Sequence, residues 1–404
     1  MDGGDLAVIG GLLVAYALVS RRLAGSVLSA PLLFLVGGVV FGVDGLGTLA
    51  VDADLGVIRA LAEATLALVL FADASKLDLR LLRHRAGLPV RLLGVGLPVT
   101  IIVGALVAAL LLPELMLAEA LVLAVLLAPT DAALGQAVVS DERVPEDLRD
   151  GLSVESGLND GVCVPLLFAA IAMAELEEAP SFEGEILTDL VTEVGMAVLV
   201  GALASVVVAW LRRAAVEHGW IETPWLRILP LAVAGLAYVL TDLAGGSGFI
   251  GAFVAGIVWS ARVGPSAEGS MDLIEEVGAL LSAATFILFA AVLVGPALRD
   301  AGPEVFAYAV LSLTVVRMGP VALALAGTRS GWPTVAFAGW FGPRGLATIV
   351  FALVLVEESG LPGTDLIVTV ATITVALSVL AHGLTAPPLT ARYAAWLGRE
   401  SASI

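Results

Sequence analysis

Apolar runs of about 17 to 25 residues recur along the whole chain, separated by short polar stretches. A helix rising 1.5 Å per residue needs about 20 such residues to cross the hydrocarbon of a bilayer. Thirteen runs can be counted, near 5–20, 28–43, 55–73, 90–112, 114–139, 150–174, 188–212, 225–243, 247–262, 272–294, 303–326, 332–357 and 364–389. The pattern predicts an all-α polytopic membrane protein of about thirteen spans, one membrane domain over 1–404, with no soluble domain of any size. No basic segment precedes the first run, so it reads as a span and not as a cleaved leader. The chain runs only a little past the last span, so no regulatory tail is expected.

The basic residues orient these spans. With the N-terminus outside, Arg21, Arg22, Lys76, Arg80, Arg83, Arg85, Arg91, Arg143, Arg149, Arg212, Arg213, Arg227, Arg262, Arg329, Arg392 and Arg399 fall on the cytoplasmic side. Only Arg59 and Arg299 fall outside, and Arg317 and Arg344 fall within spans. Cytoplasmic connections carry the excess of Lys and Arg in membrane proteins, and a missed span would scramble this separation. A cell-membrane protein with a cytoplasmic C-terminus is expected.

Two runs are interrupted, the fifth by Ala128-Pro129-Thr130-Asp131 and the twelfth by Gly342-Pro343-Arg344-Gly345. Proline removes a backbone hydrogen bond, and irregular backbone at membrane depth needs protein or water to satisfy it. Five is to twelve as six is to thirteen. That constant offset of seven predicts two six-span repeats, 5–174 and 225–389, around a linking helix at 188–212. The offset is odd, so the repeats are inverted. Interrupted segments at matching places in two halves point to a transporter binding site.

The sixth run contains Val154-Glu155-Ser156-Gly157-Leu158-Asn159-Asp160-Gly161. Residues four apart share a helix face, so Glu155 stacks with Asn159 and Ser156 with Asp160. An ionisable group at membrane depth costs at least ~2.5 kcal/mol and marks a functional site. Asp131, Ser156 and Asp160 could form an all-oxygen site for a hard cation, although an aspartate at a helix break can equally serve as a cap. Asp160 is the expected carrier, since a carboxylate there can hold a proton or a cation but not both. Glu155 is expected to pair with one of the two intramembrane arginines, with Arg317 preferred because its neighbours are apolar. Arg344 is expected to offset exposed helix ends. Asp73 closes the third span and reads first as a solvated end; Glu63, deeper in that span, is a weaker candidate.

Composition narrows the class. Of 404 residues, 59% are hydrophobic and 14% charged, and the net charge of −18 with one lysine, Lys76, argues against a nucleic-acid surface. Acidic residues are expected in loops, for example Glu175, Glu177, Glu178, Glu183, Glu185 and Asp189. A single cysteine, Cys163, excludes an internal disulfide, and His84, His218 and His382 are too scattered for a metal centre. There is no Walker-type or G-x-G-x-x-G phosphate loop outside the membrane, so no nucleotide partner and no cofactor are expected, and energy must come from a gradient.

These motifs together resemble the sodium/proton exchanger branch of the monovalent cation:proton antiporters, the NhaP-like group. Thr130-Asp131 in a broken fifth span, Glu155-Ser156 with Asn159-Asp160, and Gly342-Pro343-Arg344-Gly345 are similar to family signatures. So are Gly248-Phe249-Ile250-Gly251-Ala252-Phe253-Val254-Ala255-Gly256 and His382-Gly383-Leu384-Thr385-Ala386-Pro387-Pro388. The resemblance implies crossed broken helices, a core domain and a dimerisation domain, and a homodimer in membrane lipid. It implies that Asp160, Asp131, Ser156 and the Thr130 backbone bind Na+, that Asp73 reaches the ion through water, and that Glu155, Asn159, Arg317 and Arg344 brace the site. An Asn-Asp pair in place of Asp-Asp implies one-for-one electroneutral exchange. The chain departs from the family at Ala132, where proline often follows the aspartate.

The function expected is a secondary Na+/H+ antiporter, not an enzyme, exchanging cytoplasmic Na+ or Li+ for external H+ by alternating access. A K+/H+ antiporter with the same site, a gated cation channel and a membrane-embedded hydrolase are the alternatives. A channel would conduct without proton coupling, and a hydrolase would need a Ser/His or His-rich constellation within the spans.

Overall fold

A computed structural model describes residues 3–23, 25–49, 55–76, 87–131, 134–178, 183–264, 271–328 and 330–401. Ala132 lies outside these, as do Arg80, Arg83, His84, Arg85 and Arg329. Among the described residues all regular structure is helical. The helices follow in order as Gly3–Leu23, Ala30–Phe41, Leu55–Lys76, Gly87–Leu111, a broken fifth span (Leu117–Leu126 and Gln136–Val139), Glu146–Glu178 and Glu183–Glu217. Then come Thr223–Leu243, Gly248–Val263, Asp272–Asp300, Pro303–Ala324, a broken twelfth span (Trp332–Trp340 and Leu346–Glu358) and Thr364–Ser401. Each apolar run coincides with one of these, and both interruptions fall where proline and glycine placed them.

The local chemistry accounts for the boundaries. Pro31, Pro224, Pro303 and Pro333 sit in the first turn of their helices, where the missing N–H has no intrahelical acceptor to lose. Gly264 ends the ninth span at φ 83°, a left-handed conformation that side chains resist. The acidic residues expected in loops are helical instead. Glu175, Glu177 and Glu178 end the sixth helix, while Glu183, Glu185 and Asp189 begin the seventh. Glutamate is a good helix former, so both helices continue beyond their apolar runs.

The chain packs as two compact units. One comprises Met1–Arg59, Gly87–Asn159 and Ala283–Ile404 and contains both broken spans. Its interior includes Leu92, Val138, Leu152, Val321 and Phe337, with the Phe337 ring stacked 4.3 Å from that of Tyr393. A Cβ on Gly38 would run into the Ile287 carbonyl and Ala290, so the second span approaches the tenth backbone to backbone. The other unit comprises Ala60–Ala86 and Asp160–Ser282. Phe71, Val233, Ala234, Trp259 and Ile274 form its core. Gly201 lies against the backbone of Gly251, and Gly251 against Thr241, so the seventh, eighth and ninth spans meet through small residues. Lipid tails are as apolar as leucine, and close approach of this kind takes the place of the hydrophobic effect inside a bilayer. On the outer surface Leu18, Leu110 and Leu243 are 81, 81 and 77% exposed, an arrangement suited to lipid and not to water.

Candidate cation-binding site

Pro129 stops the first half of the fifth span by withholding an N–H, and the carbonyls before it are left without helical partners. The broken twelfth span supplies what is missing. Arg344 Nη1 donates to the carbonyls of Ala128 at 2.6 Å and Pro129 at 3.0 Å, and Thr348 Oγ1 donates to that of Leu126 at 3.1 Å. In return the fifth span caps the twelfth. Asp131 Oδ2 accepts the N–H of Leu346 at 2.9 Å, its Oδ1 accepts that of Leu134 at 3.3 Å, and its own N–H donates to the Pro343 carbonyl at 2.8 Å. A guanidinium thus meets the negative end of one half-helix and a carboxylate the positive end of another. Arg344 is fully buried. Gly345 is required at this junction, because a Cβ there would overlap the Asp131 carboxylate.

The sixth span docks onto the same break. Ser156 Oγ donates to the Thr130 carbonyl. Asn159 Nδ2 donates to Thr130 Oγ1 at 2.8 Å, and the Thr130 N–H donates back to Asn159 Oδ1 at 3.3 Å. The asparagine therefore clamps one residue at two points and fixes its hydroxyl. Glu155, on the adjoining stripe, accepts from Arg317 Nη1 at 2.6 Å and Nη2 at 2.8 Å, a bidentate pair whose side chains are each 3% exposed. Gly342 makes room for it, since a Cβ there would strike the Arg317 guanidinium. Asp160 follows Ser156 by one turn of the same helix and is 7% exposed. A cleft opens along Thr130, Asp131, Ser153, Ser156, Phe341 and Pro343, giving a route to the hydroxyls and carboxylate at the break. Carbonyl, hydroxyl and carboxylate oxygens are the donors that hard monovalent and divalent cations take.

The transmembrane sodium/hydrogen exchanger family matches residues 9–392. The chain belongs to this family. Its relatives include the K+/H+ antiporter NhaP2 of Shewanella oneidensis, 25% identical over 93% of this chain, and the Na+/H+ antiporter 2 of Zygosaccharomyces rouxii, 27% identical over 60% of it. The chain spans about 65% of the length of the first of these and 32% of the second. The exchanger fold is also that of the sodium proton antiporter MjNhaP1 of Methanocaldococcus jannaschii, with a TM-score of 0.76 and 19% identity, covering 94% of this chain and 98% of that one.

Two further candidate residues belong to the second compact unit. Asp73, in the second compact unit, is paired with Lys76 at 3.3 Å, and Lys76 reaches Glu275 at 3.4 Å. Glu63, in the same unit, accepts from Tyr238 Oη at 3.2 Å. Thr348 is a further residue at the break, a lone polar side chain in the first turn of Leu346–Glu358, four residues beyond Arg344 in the sequence. Ser378 and His382, also four apart, carried the same kind of signal within an otherwise apolar run.

Proposed function

We propose that this protein is a secondary active antiporter that exchanges cytoplasmic Na+ or Li+ for external H+, one for one. The observation that carries the reading is the junction at Thr130. Its carbonyl and hydroxyl are held by Ser156 and Asn159, one turn or less along the helix from the buried Asp160. In this reading Thr130, Asp131, Ser156 and Asp160 ligate the transported cation, and Asp73 reaches it through water. Glu155, Asn159, Arg317 and Arg344 hold the frame.

Asp160 couples the two fluxes because its carboxylate accepts a proton or a cation, never both at once. Alternating exposure of that site to the two sides then makes each cation leaving exchange for a proton entering. For one-for-one exchange a tenfold proton gradient, about 1.4 kcal/mol, balances a tenfold cation gradient. The protein acts by transport and not as an enzyme, in the cell membrane, as a homodimer, with its N-terminus outside and its C-terminus cytoplasmic. Residues 5–174 and 225–389 are its inverted repeats, joined by 188–212. No nucleotide, nucleic acid or resident cofactor takes part.

A K+/H+ exchange through the same residues is the second reading, favoured by the name of the NhaP2 relative. The test uses full-length protein in liposomes with an internal pH dye and an imposed proton gradient. Na+ or Li+ is expected to drive proton movement and K+ is not. A response to K+ alone assigns the second reading. No proton response to any of the three, with cation conductance present, overturns both in favour of a channel.

A further inference from the structure

The thirteenth span, Thr364–Ser401, presents two polar side chains one turn apart beside the gap in the twelfth. Ser378 is fully buried and His382 is 1% exposed. Ser378 Oγ accepts the backbone N–H of Arg344 at 2.6 Å. His382 Nε2 lies 2.9 Å from the carbonyl of Trp340, the last residue of the first half-helix. A carbonyl brings no proton, so this bond forms with the ring hydrogen on Nε2. The other ring nitrogen, Nδ1, lies 3.2 Å from Ser378 Oγ and 2.9 Å from the Ser378 carbonyl. A neutral ring has one hydrogen: on Nε2 it is donated to Trp340 and Nδ1 accepts from Ser378 Oγ, whereas on Nδ1 it is donated to the Ser378 carbonyl, the nearer of the two Ser378 oxygens.

With the hydrogen on Nε2, a single chain of hydrogen bonds results. It runs from the Arg344 N–H to Ser378, through the imidazole, to the Trp340 carbonyl. Its two ends are the two lips of the gap at Phe341–Gly345, and its middle is one turn of a continuous helix. One turn is about 5.4 Å long, so a rigid helical ruler sets the spacing of the lips. The Trp340 indole is held as well, its Nε1 donating to Thr385 Oγ1 at 3.0 Å. Arg344 in turn holds the Ala128 and Pro129 carbonyls, immediately before Thr130.

We propose that Ser378 and His382 are positioning residues that fix the width of the twelfth-span gap. Through Arg344 they set the place of the oxygens at residues 128–130. Their effect on transport rests on the antiporter reading given above; the gap geometry does not. Two measurements on the full chain separate the two. In detergent, thermal melting of S378A, H382A and the double variant is expected to be non-additive, the double falling no further than the worse single. H382Q keeps an N–H for Trp340 and is expected to recover most of the loss. Additive losses would overturn the proposal. In liposomes, S378A and H382A are expected to raise the apparent KM for the driving cation about fivefold or more and to change the Li+/Na+ ratio, with the maximal rate held within about twofold. A lower maximal rate with wild-type KM and ratio would mean a merely structural role and would overturn the positioning role. A wild type that moves no protons would sink the antiporter reading, while the melting cycle would still decide the gap.

Discussion

Glu155 and Arg317 meet where neither can be hydrated, so each is tolerable only because of the other. Removing one partner of such a buried pair costs about 3–5 kcal/mol, since the survivor is stranded, whereas a well-packed apolar replacement of both costs far less. Glu155→Ala and Arg317→Ala are therefore each expected to lower the melting temperature strongly, and E155L/R317L to recover much of it. Equal melting of all three with the wild type would remove the bracing role. This pairing was legible in the sequence, because an arginine among apolar neighbours demands a fixed counter-ion. The choice between two arginines became clear only from the fold, where Arg344 is engaged by carbonyls. Asp131 was legible only as ligand or cap, and its place over Leu346 shows the cap directly. Outside the membrane, the Arg143 guanidinium hydrogen-bonded to Asp141 holds its carboxyl below the usual carboxylate range. A depressed folded value stabilises above the ordinary aspartate pKa and is lost as pH falls through the lowered one. The expected sign is that Asp141→Asn melts slightly below wild type at neutral pH and equally with it in strong acid. The difference is at most about 1 kcal/mol, as befits a surface pair.

At the scale of elements, the two broken spans complete one another. The runs and their interruptions could be read directly, since about 20 apolar residues make a span and proline breaks it. What could not be read is the cross-connection between breaks, because contacts over 215 and 216 residues leave no local periodicity. Gly345→Ala places a methyl group against the Asp131 carboxylate and is expected to uncap Leu346, abolishing cation-driven proton movement and lowering the melting temperature. Wild-type transport by that variant would mean that the cap is dispensable. Thr348→Val removes one hydrogen bond to Leu126 and leaves shape nearly unchanged, so a loss of about 1–2 kcal/mol is expected on melting, without change in ion preference.

Across the whole molecule, the helical spans among the described residues and their order were legible because each apolar run is long enough for a helix, which satisfies its own backbone hydrogen bonds in hydrocarbon. The two compact units were not, since each collects segments from distant parts of the chain. At this scale the one-for-one reading has a direct consequence: clamping the membrane potential is expected to leave cation-driven proton movement unchanged. A rate that follows the potential would demand unequal charge exchange. Asp160→Asn is expected to abolish the movement in either condition; full activity in that variant would remove Asp160 as the carrier. The buried guanidinium of Arg344 also bears on biosynthesis. The ribosome makes the fifth span about 215 residues before it makes Arg344. At about 5–20 residues per second, that leaves the open end of the fifth span waiting some tens of seconds in the bilayer. A nascent chain halted before the twelfth span should therefore be a ready substrate for membrane quality control.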